Sequence, residues 1–89
     1  MSRLDDLNSR VTAAIRDLED ATRKVAVLEA EIAGLTSPTS EEGRIARRGA
    51  IRTAVACGDN DLTRTLTDRF LNETGSDAAW RRELIALLP

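Results

Sequence analysis

The chain has 89 residues, of which 42% are hydrophobic and 31% charged, with a net charge of -2 at pH 7. That size allows one small domain, or a rod with half a domain, and the acidic balance excludes a general attraction to polyanions. With no histidine and a single cysteine, Cys57, imidazole catalysis, histidine metal sites and an intrachain disulfide are excluded as well.

Apolar residues open the chain at alternating spacings of three and four: Leu4, Leu7, Val11, Ala14, Leu18, Ala21, Val25, Leu28, Ile32 and Leu35. Assigned to the a and d positions of a heptad, they form one continuous seam, the pattern of a left-handed coiled coil. Ser2 is suited to cap the helix at its start. Gly34 and the run Thr36-Ser37-Pro38-Thr39 end it, since proline cannot continue a helix.

The orientation of a pair follows from volume and charge. In a parallel dimer Ala14 and Ala21 would each face themselves and leave two thin layers. An antiparallel register sets Leu4 opposite Leu35, Leu7 opposite Ile32, Val11 opposite Leu28, Ala14 opposite Val25 and Leu18 opposite Ala21. Every alanine then meets a larger side chain, as close packing requires. The flanking g positions agree, bringing Arg10 to Glu31 and Asp17 to Lys24, each twice by symmetry. Exposed pairs of this kind contribute about 0.3–0.5 kcal/mol each, enough to select an orientation but not to supply affinity.

Two features complicate a simple dimer. Ile15 and Thr22 at e leave a tetramer open, and the stripe is also compatible with packing inside a bundle. Beyond Val25 apolar residues spill outside the seam, with Ala26, Val27, Ala30 and Ala33 around the helix. A helix apolar nearly all round is covered on more than one side, so the second half of this or another copy is expected to dock there.

That second half reads as three helices. Ser40 caps the first, which carries Glu41 and Glu42 in its opening turn and runs to Cys57 and Gly58. Asp59 or Asn60 caps the next, with Leu62, Leu66 and Phe70 on one face. Ser76 is expected to cap the last, with Trp80, Leu84, Leu87 and Leu88 together. Cys57 shares a small-residue face with Ala46, Ala50 and Ala54, and is read as a packed thiol. No segment shows the alternation of a strand.

Four arginines fall in nine residues at Arg44, Arg47, Arg48 and Arg52. Spaced as a helical ridge, they repel one another by a few tenths of a kcal/mol per pair and call for a partner outside their helix. Acidic residues of the rod such as Glu19, Asp20 or Glu29, solvent, phosphate, or the acidic surface of another protein would each serve. Against phosphate stand the absence of a helix-turn-helix pattern and of nearby aromatic residues for base stacking. Trp80 is read as a core anchor or an interface residue.

The expected fold is therefore all-α: a long N-terminal coiled-coil helix with antiparallel pairing favoured, then a small three-helix cap. Residues 1–35 form the oligomerisation helix, 36–40 a linker and 41–89 the helical domain. The expected function is a non-catalytic, homo-oligomeric assembly or adaptor module, an accessory subunit, scaffold or virion component. Its partners would be itself, as homodimer or tetramer, and a larger protein. The alternative is a small dimeric regulator that binds nucleic acid through the arginine ridge. No cofactor, metal or catalytic residue is expected, no membrane segment is present, and the cytoplasm is the default setting.

Overall fold

The computed structural model describes residues 2–89, so residue 1 of the expected rod lies outside the described residues. Helix α1 spans Arg3–Gly34, α2 Glu41–Ala56, α3 Asn60–Leu71 and α4 Ala78–Ile85, and no strand occurs among the described residues. The fold is all-α, a long N-terminal helix followed by three shorter ones, as the hydrophobic spacing requires.

Local chemistry sets the boundaries. The Ser2 hydroxyl accepts the Asp5 amide at 3.1 Å, Ser40 accepts that of Gly43 at 3.0 Å, and Asp59 accepts that of Leu62 at 2.9 Å. Each occupies one of the amides that a helix start leaves without a partner. The start of α4 differs from expectation by one residue. Asp77, not Ser76, is the cap, its carboxylate accepting the Trp80 amide at 3.0 Å. Two adjacent capping residues compete there, and the carboxylate also meets Arg44. Gly58, with φ 73°, supplies the left-handed conformation that turns the chain after α2.

The core lies between the last third of α1 and the cap. Ala26, Ala30 and Ala33 of α1, Ala46, Ala50 and Ala54 of α2, and Ile51, Leu66, Phe70, Trp80 and Leu84 form one buried cluster. Its alanine-rich part lets α1 and α2 approach closely as an antiparallel hairpin. Gly43 belongs to that approach, since a Cβ there would overlap the backbone carbonyl of Ser37 in the turn between the helices. The core thus takes in residues on both sides of the 36–40 linker. Cys57 is buried, its thiol donating to the Ala54 carbonyl at 3.3 Å.

The rest of α1 leaves the cap behind. Every residue from Ser2 to Ala21 is exposed, a free helix of about 30 Å at 1.5 Å per residue. The molecule measures 60 × 24 × 17 Å accordingly.

Candidate functional site

All ten a and d residues of the seam, nine in α1 and Leu35 just after it, are exposed. Leu18 keeps 68% of its surface, Leu28 57% and Leu35 88%. The buried residues of the helix are Ala26, Ala30 and Ala33, at heptad positions b and f. The cap has therefore docked on the side of α1 away from the seam. Helix geometry explains this, because b and f lie more than a quarter-turn from the a/d edge, and alanines permit the close contact that branched residues would prevent.

The charged residues flanking the seam are uncommitted or weakly committed. Arg10 reaches Asp6 at 4.0 Å and Arg3 reaches Asp6 at 3.7 Å, both on the exposed surface. Asp17, Lys24 and Glu31 enter none of the ion pairs among the described residues. On the other flank Glu29 is half-buried against Gly49, where a Cβ would overlap its carboxylate. Burial pushes the Glu29 carboxyl above its ordinary pKa, since taking the charged form out of water is unfavourable.

Three of the four ridge arginines, Arg44, Arg47 and Arg48, have their partners inside the chain. Arg47 is 1% exposed. Its guanidinium donates to both carboxylate oxygens of Glu73 at 2.9 and 3.0 Å, to the Gly43 carbonyl at 2.9 Å, and to the Ala33 and Thr36 carbonyls at 2.9 and 3.3 Å. The last two are at the C-terminal end of α1, which has no basic residue in its own final turn. Arg47 supplies the positive charge that the helix dipole favours there, and its fork of donors adds to the Thr36 amide at the Ala33 carbonyl and reaches the Thr36 carbonyl beyond it.

Arg44 pairs with Asp77 at 2.9 Å and Arg48 with Glu83 at 2.9 Å. Their guanidinium carbons lie 4.8 and 5.5 Å from the centre of the Trp80 ring, in cation–π range. Trp80 itself is 2% exposed. Asp77 is held below the ordinary carboxylate range by the Trp80 amide first and by Arg44 second. Arg52 is exposed and in no ion pair among the described residues. The acids that compensate the ridge come from the segment after α3 and from α4 rather than from the rod. Glu73, Asp77 and Glu83 are far from the ridge in sequence, and only the hairpin's closure onto α3 and α4 brings them to it.

One contact joins rod and cap on the remaining side. Arg23 donates to Asp59 at 3.0 Å and to Asp20 at 3.1 Å. Asp59 is held below its ordinary pKa by the Leu62 amide, then by Arg23. No cluster of metal-ligating side chains occurs among the described residues, and no helix is long and apolar enough to cross a membrane. No family model matches the sequence, and comparison with curated proteins and with solved structures likewise finds no match.

Proposed function

We propose that this chain is a non-catalytic assembly module that pairs with a second copy through the a/d seam of α1, antiparallel, and presents a small helical cap at each end of the paired rods. One observation carries the reading: the large apolar residues of α1 are the exposed ones, while its buried residues are alanines. Helices in proteins owe most of their stability to packing of an apolar face rather than to intrinsic propensity. Withdrawing a leucine, isoleucine or valine fully from water stabilises by about 1.5–3 kcal/mol, so covering the seam is the strongest driving force the surface offers.

Volume and charge support a second copy as the cover. Each alanine of the seam meets a larger residue in the register that sets Leu4 against Leu35, and Arg10–Glu31 and Asp17–Lys24 are attractive in the same register. The ridge arginines favour protein assembly over phosphate binding, because Arg44, Arg47 and Arg48 already have carboxylate partners. A larger protein, an accessory surface or a scaffold would then be engaged by the paired caps.

The test is disulfide trapping in a Cys57→Ala background, with Leu4→Cys on one population and Leu35→Cys on another. Mixing the two should give a covalent heterodimer, while Leu4→Cys alone should remain uncrosslinked. Efficient 4-to-4 trapping would reverse the orientation, and a monomeric mass by sedimentation at micromolar concentration would end the proposal.

A further inference from the structure

The two flanks of the seam differ in charge. Within α1, position g holds Arg3, Arg10, Asp17, Lys24 and Glu31, whereas position e holds Asn8, Ile15, Thr22 and a single charged residue, Glu29. Glu29 is half-buried, its carboxylate lying over Gly49 of α2 where a side chain would have displaced it. It belongs to no ion pair among the described residues. One turn away on α1 stand Val25, Ala26, Ile32 and Ala33, and one turn from Gly49 on α2 stand Ile45, Ala46, Arg52 and Thr53. Arg52 is the one charge in that set. Helix α3 reaches α1 at Arg23, on position f, through Asp59, and Asp77 and Glu83 at α4 are taken up by Arg44 and Arg48, so neither helix brings a cation to Glu29.

We propose that association of two copies takes up a proton at each Glu29, so that the dimer tightens as pH falls from neutral into mild acid. The proposal rests on the antiparallel pairing above and assigns its regulation. In that register Asn8 follows Leu7 and Glu29 follows Leu28, so both lie between the layers Leu7–Ile32 and Val11–Leu28, on one side, because e flanks face each other in an antiparallel pair. On the g flank of the same two layers Glu31 meets Arg10. The partner's first turns thus bring a guanidinium to one glutamate and a neutral amide to the other. Beyond the partner's Asn8 on that side, position b carries Thr12 and Asp5, the latter of the same sign as Glu29.

Within one chain, burial already holds the Glu29 carboxyl above its ordinary pKa. Covering the e flank removes more water from it without adding a cation, which disfavours the charged form further. The charge therefore opposes pairing at neutral pH, and the opposition fades as pH falls through the value reached in the dimer. It does so twice by symmetry. A parallel pair would reverse the sign, since Lys24 of one chain would then meet Glu29 of the other and acid would weaken the contact.

The experiment measures the dimer dissociation constant of the full chain and of Glu29→Gln at pH 7 and at about pH 5, above the range where ordinary carboxylates, and with them the Arg10–Glu31 and Asp17–Lys24 attractions, are neutralised. The wild-type dimer should be about threefold tighter at the lower pH, and Glu29→Gln should show the tighter value at both. Dilution calorimetry of the wild type in buffers of different ionisation heat should register proton uptake on association, a readout that does not depend on the variant. A dissociation constant that is flat or rises towards pH 5, with 4-to-35 trapping intact, would overturn the proton linkage and leave the seam pairing standing. A wild-type chain that never dimerises removes both.

Discussion

The two parts of α1 obey opposite burial rules. From Ser2 to Ala21 every residue is exposed, although the stretch carries Leu4, Leu7, Val11, Ile15 and Leu18. From Arg23 to Gly34 it is half of a helical hairpin, yet the residues it buries are alanines, and Val25, Leu28 and Ile32 stay in water. Both parts therefore keep the same edge of large side chains free. The cap stabilises the hairpin without using that edge, so intramolecular folding leaves the seam free on a separate face.

This separation can be broken from either side. The largest effect is expected at Leu18, which is remote from the cap. Leu18→Asp would place a charge in the seam beside its symmetry mate and raise the dimer dissociation constant about a thousandfold, roughly 4 kcal/mol. The exposed half of α1 should also lose helicity at low concentration, because helical stability depends mostly on packing of the apolar face. The cap's unfolding should not change, and loss of cap stability in this variant would contradict the division described above.

The next largest effect falls on the cap alone. Arg47→Ala leaves Glu73 without its partner and removes the guanidinium donor from the carbonyls of Ala33 and Thr36. Removing one member of a buried pair is strongly destabilising, and Glu73 is 28% exposed in its side chain, so a loss of about 3 kcal/mol is expected in urea unfolding. If the seam pairs independently, trapping between residues 4 and 35 should persist at temperatures where this variant is still folded.

The smallest effect concerns pH. Because burial raises the Glu29 carboxyl above its unfolded value, the folded chain holds its proton more readily, and the destabilisation from its charge is present at neutral pH and fades as pH falls through the folded pKa. Glu29→Gln should therefore be slightly more stable at pH 7, by less than about 0.5 kcal/mol, with the difference vanishing in acid. Asp59 and Asp77 act in the opposite sense. Their carboxyls are lowered, so the stability they lend is present above the ordinary carboxylate range and is lost as pH falls through their folded values. Urea titrations between pH 3 and 7, with and without Glu29→Gln, separate the two trends.

What the sequence made readable was periodic or local. The seam followed from spacing, the caps at Ser2, Ser40 and Asp59 from residue type and position, and docking near Ala26, Ala30 and Ala33 from an apolar surface wider than one stripe. What it concealed was non-local. Arg47 belongs to the ridge by spacing, but it lies toward the Ala50 side of α2 and turns inward, where the end of α1 needs a donor. That need arises only once α1 and α2 have folded back on each other. The acids that meet Arg44, Arg47 and Arg48 lie 26 to 35 positions further along, and no periodicity links such distances. The shift of a cap from Ser76 to Asp77 has a similar origin, since Arg44 adds a tertiary attraction to the carboxylate that the serine lacks.

The guanidinium of Arg47 holds three pieces of chain at one point: the last turn of α1, the start of α2 and the stretch following α3. A long helix fastened in this way cannot swivel in its socket without several hydrogen bonds breaking at once. The joint therefore ties the direction in which α1 projects to the integrity of the cap.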